Sequence, residues 1–96
     1  MKLLVTYDVS TTTPEGRRRL RRVARICEGF GQRVQYSVFE VVCSRTDYAR
    51  LLTTLSEVVV PSEDSLRVYP VDRDGFDDVI VIGAERALDP DSAWNL

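Results

Sequence analysis

With 96 residues the chain has room for one domain, and a domain of this size buries so thin a core that a second copy covering one face is expected. Its 13 Lys plus Arg against 15 Asp plus Glu leave a net charge of -2, which excludes a uniformly basic nucleic-acid binder. The absence of histidine excludes His-based triads and imidazole acid–base chemistry, and leaves the two cysteines without the ligands of a zinc knuckle.

Residues 2–9 read as a first strand, with Leu3, Val5 and Tyr7 on one face and Leu4, Thr6 and Asp8 on the other, wetter one. The opening MKLLVTYDVS turns polar too early for a signal peptide, and no apolar run approaches the roughly 20 residues of a membrane span. A cytoplasmic protein with no membrane partner is expected. After a loop at 10–13, Thr12 or Thr13 caps a helix that opens with Pro14 and Glu15. Leu20, Val23, Ala24 and Cys27, joined by Phe30, form its apolar stripe, Arg18, Arg21, Arg22 and Arg25 take the opposite side, and Gly29 and Gly31 end it.

Residues 33–43 are rich in β-branched and aromatic types but carry no glycine turn, so one bent strand and two strands both remain open. In unbroken alternation Val34, Tyr36 and Val38 face the helices, and Arg33, Gln35, Ser37 and Phe39 look the other way. Ser44 and Asp47 open a second helix buried through Tyr48, Leu51, Leu52 and Leu55. A loop at 61–64 leads to strands at 66–71 and 79–82, separated by a turn at Asp74-Gly75. Cys27 and Cys43 read as small buried hydrophobes. This order predicts an α+β, ferredoxin-like split βαβ sandwich over residues 1–82, an antiparallel sheet with two helices on one face and dimerisation through the other. Residues 83–96 form a tail, either packed on a partner through Trp94 and Leu96 or disordered.

Charge is unevenly spread. Arg17, Arg18, Arg19, Arg21, Arg22 and Arg25 stand together without an acid, whereas Asp72, Asp74, Asp77, Asp78, Glu85, Asp89 and Asp91 dominate the other end. Each unrelieved like-charge pair at helical spacing costs roughly 0.2–0.5 kcal/mol, which a polyanion would relieve and a merely solvated face would not. With Lys2 the only lysine, a serine–lysine arrangement is poorly supported, which leaves a carboxylate with a metal. Asp8, ending the first strand beside a polar loop, is the candidate; its bland alternative is to bond the loop amides at 10–12. Phe39 reads as dimer core or as a stacking platform for a base.

Four elements carry a resemblance: Tyr7-Asp8-Val9 ending the first strand, the arginine cluster at 17–22, GQRVQYSVFE at 31–40, and DSLRVYPV at 64–71. In this order, in so short a chain, they resemble the small CRISPR-associated adaptation proteins, the second universal adaptation component, also described as endoribonucleases or endonucleases. Asp89-Pro90-Asp91 in the tail is similar to the branch from type one systems. The resemblance implies a homodimer in which Asp8 of both subunits faces the two-fold axis and holds Mg²⁺ or Mn²⁺. It further implies that Tyr7, Arg17, Arg19, Arg33, Ser37 and Phe39 lie on motif positions tied to activity or substrate contact. The implied partners are duplex DNA or single-stranded RNA and the CRISPR integrase subunit, which the dimer bridges during spacer acquisition. Arg18 and Arg22 join Arg17, Arg19 and Arg33 as the expected nucleic-acid contacts. A ferredoxin-like regulatory module binding a small molecule is the competing reading.

Overall fold

The computed structural model describes residues 1–71 together with Phe76 and Ile80. Along the chain come β1 (Lys2–Asp8), α1 (Pro14–Glu28), β2 (Gly31–Gln35), β3 (Val38–Val42), α2 (Arg45–Val58) and β4 (Ser65–Val71). The strands make one antiparallel sheet in the order β2-β3-β1-β4, the ferredoxin-like arrangement expected from the sequence. The turn expected at Asp74-Gly75, the strand expected at 79–82 apart from Ile80, and the tail 83–96 lie outside the described residues.

Strand β1 occupies the middle of the sheet, and its alternation sorts the two faces. Leu3, Val5 and Tyr7 are buried, while Asp8 at its end is exposed. Helix α1 starts where the Thr13 hydroxyl accepts a hydrogen bond from the Gly16 amide at 3.0 Å, with Pro14 next in a position that needs no donor. Its Leu20, Val23, Ala24 and Cys27 meet Leu3 and Val5 of β1, Phe39 and Val41 of β3, and Leu51 and Leu55 of α2 in a single core. Each such fully buried aliphatic side chain contributes about 1.5–3 kcal/mol. Ser44 caps α2 by accepting from the Asp47 amide at 3.1 Å. Cys27 lies in this core as expected, whereas Cys43 is only partly buried at its margin.

Helix α1 ends at Gly29 in right-handed backbone, so a glycine's special conformational freedom is not what stops it. Gly31 matters for a different reason. A Cβ there would run into the Glu40 carbonyl oxygen and stand 2.7 Å from Val41 Cγ2, so only glycine lets β2 approach β3 at this point.

Residues 33–43 divide into two strands, and the expected alternation is overturned. A register shift between Arg33 and Gln35 places Arg33 opposite Phe39 and Gln35 opposite Val38. Phe39 in turn lies opposite Val5 of the buried face of β1. Arg33 and Phe39 therefore look toward the helices, Phe39 is fully buried, and Val34 is left exposed. The connecting Tyr36 and Ser37 form a turn with neither glycine nor asparagine. It is fixed from β1 instead: the Tyr7 amide donates to the Ser37 carbonyl at 3.2 Å, and the Tyr7 hydroxyl donates to the Tyr36 carbonyl at 3.2 Å.

Candidate functional site

The site is built around the loop joining β1 to α1. Asp8 sits at its entrance, paired in register with Ser65 of β4. Its carboxylate is exposed, on the alternation of Leu4 and Thr6 rather than that of the core. The bland alternative for Asp8 fails here, because the Ser10 amide donates to Asp64 Oδ1 at 3.1 Å and not to Asp8. Among the described residues no hydrogen bond or ion pair holds the Asp8 carboxylate.

Asp64 is the residue that local spacing did not reveal. Its side chain is wholly buried, and besides Ser10 it receives the Val60 amide at 2.9 Å, Arg19 Nε at 2.9 Å and Arg19 Nη2 at 3.3 Å. Burial by itself pushes its carboxyl up, but the donors from Arg19, Val60 and Ser10 outweigh this and hold it below the usual carboxylate range. Arg19 is raised in turn, chiefly by its bond to Asp64. One carboxylate thus ties together the loop after Asp8, the second turn of α1 and the segment entering β4. Gly16 completes the fit, since a Cβ there would collide with the Ser10 carbonyl oxygen.

The arginines separate into two groups. Arg17, Arg18, Arg21, Arg22 and Arg25 are exposed on α1. Arg17 donates to the Thr11 carbonyl at 3.2 Å and Arg18 reaches Glu15 at 3.4 Å, while Arg21, Arg22 and Arg25 carry no ion pair among the described residues. This is a cationic surface. Arg19 and Arg33 are not part of it. The Arg19 side chain is only 15% exposed and is spent on Asp64 and on Glu63 at 3.2 Å. The Arg33 side chain is 5% exposed, its guanidinium lies 5.2 Å from the Phe39 ring centre, and its nearest acid is Glu28 at 3.8 Å. All three of its nitrogens are buried without a hydrogen-bond partner.

Tyr7 and Phe39 stack with ring centres 6.2 Å apart, inside the core. Phe39 is therefore neither a dimer contact nor a platform for a base. Burial pushes the Tyr7 hydroxyl up to about 12 against the pull of Arg33, so Tyr7 stays neutral and acts as a hydrogen-bond donor. Ser37 is partly buried and contributes its carbonyl to the same turn. Of the residues expected at the site, Asp8 is exposed at the end of β1 on the sheet face of Leu4 and Thr6, and Arg17, Arg18 and Arg22 are exposed on α1, whereas Tyr7 and Phe39 are buried and Arg19, Arg33 and Ser37 are partly buried.

Against this geometry, the family model described as CRISPR associated protein Cas2 matches residues 1–79. The chain belongs to the Cas2 family. It is 46% identical over 87 residues to the CRISPR-associated endoribonuclease Cas2 3 of Rhodospirillum rubrum, covering 91% of this chain and 92% of that protein. To the CRISPR-associated endonuclease Cas2 of Halalkalibacterium halodurans it is 40% identical over 89 residues, 93% of each chain. The crystal structure of Streptococcus pyogenes Cas2 at pH 6.5 superimposes with a TM-score of 0.78 at 41% identity, covering 86% of this chain and all of that one. In the Cas2 frame, Tyr7-Asp8 and the arginines of α1 occupy the first strand and first helix of the matched region. No helix among the described residues is long and apolar enough to cross a membrane.

Proposed function

We propose that this chain works as a homodimeric nucleic-acid-binding subunit of CRISPR adaptation, holding duplex DNA or single-stranded RNA on the exposed arginines of α1, with a weak metal-dependent endonuclease activity centred on Asp8. The observations that carry the reading are the exposed Asp8 carboxylate, with the Ser10 amide turned to Asp64 instead, and an exposed row of arginines on α1 of which Arg21, Arg22 and Arg25 carry no ion pair among the described residues. The names of the relatives, endoribonuclease and endonuclease, point to the same chemistry.

No group of three or more acids or cysteines gathers among the described residues, so one chain supplies too few oxygens for a hard divalent cation. Asp8 fits as half of such a site, completed by the partner's Asp8 across a two-fold axis and by substrate phosphates. When bound there, Mg²⁺ or Mn²⁺ would supply charge neutralisation at the scissile phosphate. The chain itself binds and orients the polyanion through Arg17, Arg18 and Arg22, and keeps Asp8 accessible. With no histidine to accept a proton, hydrolysis is slow, and clamping of a duplex between integrase subunits is the dominant role.

The test compares the wild-type protein with Asp8→Asn on end-labelled single-stranded RNA and duplex DNA, with and without Mg²⁺. Cleavage is expected to need both the cation and Asp8, while duplex affinity and integrase binding stay within about twofold of wild type. Binding strength should fall steeply with salt, with the slope reduced by about one in Arg18→Ala and in Arg22→Ala. Cleavage that survives Asp8→Asn removes the catalytic half of the reading, and a flat salt dependence removes the nucleic-acid half and favours a small-molecule module.

A further inference from the structure

We propose that Arg19 is a positioning residue that never meets nucleic acid: with Asp64 it forms a buried clamp that fixes the loop between Asp8 and α1, and so sets where the carboxylate stands relative to the exposed arginine row. The inference rests on the functional reading above and gives Arg19 a role different from that of its neighbours Arg17, Arg18 and Arg22.

Four observations converge on the clamp. Arg19 offers Asp64 two nitrogens, at 2.9 and 3.3 Å, the forked geometry that only a guanidinium provides. The Asp64 side chain has no exposed surface, and its remaining capacity is filled by the Ser10 and Val60 amides, so it cannot reach a ligand. Ser10 lies two residues beyond Asp8, and Asp64 immediately precedes Ser65, the residue that pairs with Asp8. Glu63 takes the remaining Arg19 contact at 3.2 Å, which leaves the side chain surrounded by carboxylates. A phosphate approaching this guanidinium would have to displace two acids that already neutralise it. It is therefore the wrong arginine for a polyanion and the right one for holding a loop.

A clamp of this kind predicts a particular division of effects. Arg19→Lys keeps the charge but loses the fork, so the loop loosens while the cationic surface is unchanged. Amide hydrogen exchange read by NMR should show Ser10 and Val60 losing protection tenfold or more in Arg19→Lys, with the amides of Leu3 and Val5 unaffected. The slope of duplex affinity against salt should match wild type, whereas Arg22→Gln lowers it by about one. Cleavage should fall about 10- to 100-fold in kcat with KM little changed, because the reacting groups are displaced and the binding surface is not. Asp64→Asn should reproduce the loss of Ser10 protection, and the double variant should be no worse than the poorer single one.

A salt slope lowered in Arg19→Lys as in Arg22→Gln would overturn the proposal, as would Ser10 and Val60 amides that keep wild-type protection. Should wild type neither cut nor bind nucleic acid, the functional reading fails, and the exchange measurement still decides for or against the clamp. Arg19→Gln, which loses the fork and the charge together, should expose the Ser10 and Val60 amides at least as much as Arg19→Lys.

Discussion

Removing the buried carboxylate, by Asp64→Ala, gives the sharpest test of how the site is held. Two backbone amides, those of Ser10 and Val60, lose their acceptor in part-buried surroundings. Each such orphan costs about 1–3 kcal/mol. Arg19 keeps Glu63 and some access to water, so it adds little to the loss. A destabilisation of about 3 kcal/mol follows, a large share of the roughly 5–15 kcal/mol that holds a small domain together. In urea, with a slope of about 1.5 kcal/mol per M, the midpoint should drop by roughly 2 M at unchanged slope. Protein concentration must be held fixed, since the proposed self-association would make the midpoint depend on it. The pH dependence has a definite sign. The Asp64 carboxyl is lower in the folded chain than in the unfolded one, so its contribution is complete above the ordinary carboxylate value near about 4 and is lost as pH falls through the lowered folded value. The gap between wild type and Asp64→Ala should thus be constant from about pH 8 to pH 5 and close progressively below about pH 4. A loss under about 1 kcal/mol at neutral pH, or a gap that persists unchanged to about pH 2, would refute the reasoning.

Three further outcomes are expected. Tyr7→Phe removes one hydrogen bond to the Tyr36 carbonyl and should cost about 1 kcal/mol in thermal or urea unfolding; it should also delete from the absorbance titration the tyrosine that ionises at about 12. Gly31→Ala should destabilise by about 1–3 kcal/mol, because the added methyl meets backbone of Glu40 and Val41 that cannot swing aside, and a midpoint equal to wild type would contradict the close approach of β2 to β3. Cys27, whose thiol burial pushes up to about 12, should resist alkylation at pH 8 while Cys43 reacts, as mass spectrometry of the native protein would show; modification of Cys27 first would contradict its place in the core.

Elements governed by local rules were legible from the residues alone. The cap at Thr13, the proline after it and the stripe Leu20, Val23, Ala24, Cys27 specify α1 because each acts within a few residues of itself. The alternation of β1 likewise separated Asp8 from Leu3, Val5 and Tyr7. Reading failed where the cause lies far away in sequence. The turn at Tyr36 and Ser37 carries no turn chemistry of its own, being pinned by Tyr7, and the slip beside Arg33 breaks the alternation, so that Arg33 and Phe39 face the core while Gln35 stays exposed. The five arginine positions expected to touch nucleic acid looked alike in sequence, because what withdraws Arg19 and Arg33 is burial against Asp64 and Phe39. Arg19 and Asp64 are separated by 45 residues, a pairing that no spacing rule contains.

The crowded guanidiniums of α1 leave the protein frustrated when no polyanion is bound, since Arg21, Arg22 and Arg25 repel one another and carry no ion pair among the described residues. Any long anionic molecule that settles along the helix returns that stored repulsion as heat resistance. Preparations stripped of nucleic acid, or held at very low salt, should accordingly melt earlier than those supplied with a polyanion as inert as heparin, and the thermal history of a sample becomes a record of what it was carrying.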